Sequence, residues 1–299
     1  MKNSLLIKSF AAALLICTSL FTASCESDRD DEDDTYSSMD EFYNKHRQEE
    51  QEFVIDSAGG GPIIGKQKTQ LYLDSSIFMF PGGGDVSYPI TIKLIELYPQ
   101  SDFMEYPMST VADGEVTVSA GAIRVRAYKN GTELVLKPGK CYAAVMPDTN
   151  NLLNDMKVFY GDNKDTDVNW SEAKDASKVL TQSGYYALSV YQMGWINNAK
   201  LHSKSGSATQ ITFKAKGSGT EFIDVYIVAK DYFSVVKVSK LKSIEVPEGE
   251  NVTIIAMAMD QDKKYRLHNT SVTVTKNMAI ELDLKVVTEQ DVLNTLGAL

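Results

Sequence analysis

In Ile123-Arg124-Val125-Arg126-Ala127-Tyr128 an apolar residue falls at every second position, and Asn130-Gly131 follows at once. Strict alternation is what a strand with one buried face requires. An Asn-Gly pair is the preferred centre of a type I′ turn, because both residues tolerate positive φ. Residues Ile123 to Leu136 are therefore predicted to form a β-hairpin.

Similar short runs recur along the chain: Thr69 to Leu73, Ile77 to Phe80, Ile90 to Tyr98 and Cys141 to Met146. A second series holds Tyr185 to Met193, Gln210 to Ala215, Phe222 to Val228, Phe233 to Val238, Val252 to Met259, Tyr265 to His268, Ser271 to Thr275 and Ala279 to Val287. Strand-length runs about every ten residues, with turns between them, favour sheets packed on sheets over alternating β-α units. Pro81-Gly82-Gly83-Gly84-Asp85 has no phosphate-loop lysine and precedes a strand instead of a helix, so it reads as an interstrand turn.

The N-terminus carries a different signal. Lys2, an apolar run from Leu5 to Leu20 broken by Lys8, and small residues before Cys25 make a secretory signal peptide. The run is shorter than the roughly 20 apolar residues that span a bilayer. Thr22-Ala23-Ser24-Cys25 resembles the lipobox of bacterial lipoproteins, with Thr22 where Leu is usual, and the resemblance implies acylation of Cys25. The acidic run Glu26 to Asp34 is similar to the lipoprotein export signal of Bacteroidetes, which implies the outer leaflet of the outer membrane; a charged, solvated spacer is the alternative.

The 299 residues carry 40 acidic and 30 basic side chains, a net charge of −10, which argues against nucleic-acid binding. Residues 26–50 hold 11 acids against 3 bases, so 51–299 hold only 29 against 25. The acidity belongs mainly to the tether. Of the three cysteines, Cys17 leaves with the signal and Cys25 is the lipidation residue, leaving Cys141 as a small buried hydrophobe in a strand.

The expected layout is a signal peptide over 1–24, an acidic tether over 25–62, a first β-sandwich over 63–160, a linker over 161–183, a second β-sandwich over 184–287 and a helix over 288–299. Ser38-Met39-Asp40-Glu41 reads as a capping box for a short tether helix with Met39, Phe42, Tyr43 and His46 on one face. Thr288-Glu289-Gln290-Asp291 caps the last helix, which carries Val292, Leu293 and Leu296. The Asp- and Asn-rich stretch 148–183 lacks calcium-loop spacing and reads as a solvated interdomain segment. The fold class is all-β, with two tandem immunoglobulin-like β-sandwich domains.

Two stretches resemble a known family. Ile90 to Tyr98, Ser101-Asp102-Phe103, Ser109-Thr110, Ala120 to Ile123, Asn130-Gly131, Leu134 to Leu136 and Pro138-Gly139-Lys140 are similar to a β-sandwich module of uncharacterised Bacteroidetes outer-membrane surface lipoproteins. That module is distantly similar to the sandwich domain shared by ankyrins and netrin receptors. Gly194 to Asn197, Val225 to Val228, Val246 to Gly249 and Ile254 to Ala256 resemble the module that follows it. The resemblance covers most of 66–287 and implies a tandem fold but no catalytic residue. Asn198 stands where those relatives often have Cys.

The sequence has no Gly-x-Ser-x-Gly elbow, His-Glu-x-x-His, Cys-x-x-Cys or Walker loop, and His202 and His268 read as surface residues. No enzyme, cofactor or metal site is expected. Trp195 and Tyr191 are the candidate ligand contacts, since exposed aromatics grip sugars or protein partners. A tryptophan filling a core or the domain joint is the plainer alternative for Trp195. The expected function is a lipid-anchored surface binding or adhesion protein for a glycan or protein. A structural accessory subunit beside an outer-membrane β-barrel is the second reading, and a hydrolase of unfamiliar type the third.

Overall fold

Alternation gives the strand Thr117–Lys129 two different faces: Ile123, Val125 and Ala127 are buried in one core, while Arg124, Arg126 and Tyr128 stand half-buried on the other side. A computed structural model describes residues 35–59, 61–147, 152–202 and 206–299, so the expected signal peptide and Cys25 lie outside the described residues. Thr117–Lys129 lies within a seven-stranded sheet running Trp170–Glu172, Lys157–Gly161, Gly194–Leu201, Thr117–Lys129, Ile90–Leu97 and Gln51–Ile55, with Thr132–Glu133 also paired to it. Facing it is a five-stranded sheet of Lys178–Gln182, Tyr185–Val190, Tyr142–Pro147, Gln70–Tyr72 and Ile63–Ile64. Ile92, Ile123, Val125, Leu188 and Ile196 fill the space between.

The hairpin turn forms as the sequence indicates, with Asn130 at φ 51° and Gly131 at φ 78°. It is shorter than expected. Lys129 pairs with Thr132 and Tyr128 with Glu133, after which Val135–Leu136 leaves to pair with Phe78–Met79. The glycine-rich turn after Phe80 leads through Asp85, which Lys137 meets at 2.7 Å, into the strand Ile90–Leu97.

A six-stranded sheet contains Ser234–Val238, Asp224–Ala229, Asn251–Asp260, Tyr265–Thr273 and Lys285–Val287, with Tyr36–Ser37 added against Asn251–Asp260. A three-stranded sheet of Lys242–Pro247, Ala208–Ala215 and Ala279–Leu282 covers it, and Ala208–Ala215 runs parallel to Ala279–Leu282. Their shared core holds Ile211, Val225, Ile254 and Ala256. The described chain is thus mostly β, built from predominantly antiparallel sheets with few helices.

A third core joins these layers. The second face of the seven-stranded sheet packs toward the six-stranded sheet through helices α1 (Asp40–His46), α2 (Gln100–Glu105) and α3 (Glu289–Gly297). Phe42, Phe103, Trp170, Trp195, Tyr226 and Val292 are all buried in it. Residues Thr35–Leu299 form one unit.

Several expected boundaries move. The stretch 161–183, expected as a linker, contributes Trp170–Glu172 and Lys178–Gln182 to the two facing sheets, and Tyr185–Val190 and Gly194–Leu201, assigned to the second sandwich, pair with Tyr142–Pro147 and Thr117–Lys129. Polar loop composition around Asp162 and Asp175 hid strands whose partners lie far away in sequence. The tether expected over 25–62 enters the fold from Tyr36: Met39, Phe42 and Tyr43 are buried, and Gln51–Ile55 pairs with Ile90–Leu97. A seven-residue helix has little stability in water alone, so docking holds α1.

The Ser38 capping box does not close. Met39 is the N-cap, Asp40 N–H donates to the Ser38 hydroxyl at 3.1 Å, and Glu41 pairs with Lys263. The box on α3 does close, through Thr288 and Asp291. Cys141 is only half-buried, just ahead of its expected strand, and its thiol meets the Tyr191 hydroxyl. Neither His202 nor His268 is a free surface residue: His202 stacks on Tyr232 at 4.3 Å, and His268 Nδ1 accepts the Asp283 N–H at 3.0 Å.

Candidate functional site

Trp195 lies directly opposite Arg124 in the antiparallel pair of Gly194–Leu201 and Thr117–Lys129, so their side chains share the outer face of the seven-stranded sheet. A cleft of about 560 Å³ opens over this pair. Arg124 and Arg126 line its floor, Glu133 to Leu136 one side, and Asp162, Asn163 and the Tyr191 to Gly194 turn the other.

The two aromatic candidates meet here, but in different roles. Trp195 is 2% exposed, and its Nε1–H donates to the Lys164 carbonyl at 3.0 Å. Its ring stands edge-on to Tyr106 at 5.8 Å and to Trp170 at 6.4 Å. Trp195 therefore braces the third core and offers the cleft only an edge. Tyr191 is half-buried on the rim, its backbone N–H donating to the Tyr160 hydroxyl at 3.1 Å. Its hydrogen bond with Cys141 holds the phenol above its ordinary pKa.

The arginines are fixed by partners from distant segments. Arg124 Nη1 reaches Asp165 at 2.5 Å while its guanidinium sits 5.5 Å from the Trp195 ring centroid. Arg126 forks onto Glu50, with Nη2 2.6 Å from Oε2 and Nε 3.0 Å from Oε1. Burial works against the Arg126 charge, but Glu50 outweighs it and leaves the guanidinium above its ordinary pKa. Across the cleft, burial raises the Asp162 carboxyl, yet hydrogen bonds from Asn169 and Lys164 outweigh that and hold it below its usual range. Arg124 and Arg126 also line a second cleft of about 370 Å³, shared with Arg47 and Glu49. Both arginines thus border two openings, and each is paired with a carboxylate, Arg124 with Asp165 and Arg126 with Glu50.

Sequence reasoning missed these arginines as site residues, although the signal was present: the same alternation that buries Ile123 and Val125 puts Arg124 and Arg126 together on the opposite face. Gln192 and Asn163, which add amide groups to the cleft, carried no local signature. In the acidic stretch Asp162 is engaged with Lys164 and Asn169, and Asp165 with Arg124; Asp148, Asn150 and Asn151 lie outside the described residues. Among the described residues no group of three or more His, Cys, Asp or Glu side chains is placed to hold a metal. No described helix is long and apolar enough to cross a membrane.

A buried carboxylate elsewhere has a structural use. Glu96 is fully buried and accepts N–H groups from Gln51, Gln67 and Thr69, each at 2.9 Å, tying the 65–69 turn to the strands Gln51–Ile55 and Ile90–Leu97 of the seven-stranded sheet. A scan against protein-family models gave no match to this chain, and a search of curated proteins gave none either.

Proposed function

We propose that this chain is a surface lipoprotein of a Bacteroidetes-type outer membrane, acylated at Cys25, that binds a glycan or protein without catalysing a reaction. Its body is read as two immunoglobulin-like sandwiches in tandem, joined through the core that holds Trp195. The observation that carries the binding reading is the cleft over Arg124, Arg126 and Trp195. Its Arg124, Arg126 and Trp195 sit on paired strands and are pre-oriented by Asp165, Glu50 and the Lys164 carbonyl, which lowers the ordering cost of holding a ligand.

Arrays of glycans and envelope or host proteins, probed with the mature protein, test this reading. A hit whose affinity falls about ten-fold, or roughly 1.4 kcal/mol, in Arg126→Ala supports it. Absence of any hit, together with recovery of a stoichiometric β-barrel partner from solubilised membranes, would replace it with the accessory-subunit role. Metabolic labelling with a fatty-acid analogue tests the anchor, and loss of label in Cys25→Ala is expected. Protease shaving of intact cells tests export: survival of the body would place it inside the outer membrane.

A further inference from the structure

The positive charges around the cleft of about 560 Å³ are all matched, two of them from outside it. Arg124 and Arg126 lie on its floor, but the carboxylates that hold them, Asp165 at 2.5 Å and Glu50 at 2.6 Å, line the second cleft and not this one. The walls add Asp162, which Lys164 meets at 3.3 Å, and Glu133, which accepts the Tyr128 hydroxyl at 3.2 Å. Arg124, Arg126 and Lys164 therefore stand against four carboxylates, Asp165, Glu50, Asp162 and Glu133. Lys93, 3.6 Å from Glu50, is itself held by Glu52 at 2.5 Å. Donors remain on the floor: Nη1 of Arg126 and Nε and Nη2 of Arg124 have no partner among the described residues.

The recurring ways of holding a peptide do not fit this surface. Strand addition needs an open edge. Thr117–Lys129 pairs on one side with Ile90–Leu97 and on the other with Gly194–Leu201 and then Thr132–Glu133, the Leu134 N–H closing onto the Ala127 carbonyl at 2.8 Å. On the cleft's sides, Thr132–Glu133 and Val135–Leu136 are two residues each and already paired. An amphipathic helix needs an apolar groove and a proline-rich segment an aromatic one, whereas this floor is guanidinium and Trp195 is only 2% exposed. Acidic motifs need arginines that are not already matched. The cleft offers floor donors, wall carboxylates with the amides of Asn163 and Gln192, and an apolar strip at Val135, Leu136 and Met193. A pyranose meets all three: each hydroxyl both donates and accepts, and its C–H faces are apolar.

We infer that this cleft takes an uncharged glycan, and that Glu50 and Asp165 set that specificity by matching the two arginines from the side of the second cleft. The inference rests on the reading of the cleft as the binding site and narrows it to one ligand class. A carboxylate or sulfate on the sugar would meet guanidiniums that already hold carboxylates, with Asp162 and Glu133 repelling it from the walls. A neutral sugar keeps the arginines as oriented donors and meets no such repulsion.

Calorimetric titration of the mature protein with soluble polysaccharides tests it, setting neutral glucans, mannans and xylans against polygalacturonate and dextran sulfate. A neutral polysaccharide should bind with an affinity that changes less than about two-fold between about 50 and about 500 mM salt. That affinity should fall about ten-fold in Arg126→Ala. Glu50→Gln keeps an acceptor for Arg126 while removing the charge, and should gain about ten-fold for polygalacturonate, a gain that high salt abolishes. Asp165→Asn, at a side chain 76% exposed, should gain in the same direction and carries the test if Glu50→Gln lowers the thermal melt. Binding of no neutral polysaccharide, a parent preference for acidic polysaccharide or protein, or no gain in either variant would overturn the inference. An acidic or protein ligand lost in Arg126→Ala would leave the cleft reading standing, whereas a neutral ligand retained in Arg126→Ala would overturn both.

Discussion

Arg124 and Trp195 face each other in register across two strands whose residues are some seventy positions apart, the guanidinium 5.5 Å from the indole ring centroid. The contact sits where the buried third core meets the open cleft. Trp195 consequently supports both the joining of the layers and the floor of the candidate site.

Trp195→Ala should cost about 3–5 kcal/mol, the usual price of truncating a fully buried large aromatic. Trp195→Phe should cost less, losing chiefly the hydrogen bond to Lys164. Urea unfolding of both variants checks the ordering. Equal, near-zero effects would mean that the ring is not part of a packed core.

Helix α1 gives a second test. Phe42 is fully buried, lies 4.6 Å from the His46 ring and meets Tyr265 edge-on at 5.7 Å. Phe42→Ala should destabilise the body by about 3–5 kcal/mol, and removal of residues 35–50 should leave a chain that unfolds at much lower urea. A truncated chain as stable as the parent would make α1 part of a free tether after all.

How far such features could be read from sequence depends on whether their cause is local. Asn130-Gly131 and the Thr288–Asp291 box are set by neighbouring residues, and both formed. The docking of α1 depends on Tyr265 and Tyr226, and the pairing of Gly194–Leu201 with Thr117–Lys129 joins segments that no short window contains. The joining core was legible only in part: a Trp195 filling a core or the domain joint was the plainer expectation and is what the structure shows, but only the fold puts Trp170 and Trp195 6.4 Å apart. The site was half legible, since the polar side of an alternating strand names Arg124 and Arg126 but not the Glu50 and Asp165 that fix them.

Glu105 supplies a pH dependence. Burial, with a smaller contribution from Asp102, pushes its carboxyl from 4.5 up to about 7. A raised carboxyl means the folded state holds more protons than the unfolded state between those values, so this group's contribution to stability falls as pH rises from 4.5 to 7. Glu105→Gln should therefore gain stability relative to the parent between about pH 5 and about pH 7.5. Parallel urea-midpoint profiles for the two proteins would contradict this assignment.

Asn198 is fully buried, shares its register position with Val158, and has no partner for either amide atom among the described residues. Replacing it with an apolar side chain of similar size removes an unmet desolvation cost, so Asn198→Val should stabilise by about 1–3 kcal/mol. The check is the urea midpoint at unchanged slope. A loss of stability would show that the amide is satisfied in solution.

The proposal that the Arg124–Trp195 cleft holds the ligand is tested most directly by hydrogen–deuterium exchange of the mature protein with and without the best array hit. Slowed exchange confined to residues 160–164, 191–195 and the 130–136 turn is the expected result. Protection elsewhere, with these segments unchanged, would contradict the cleft as the binding site.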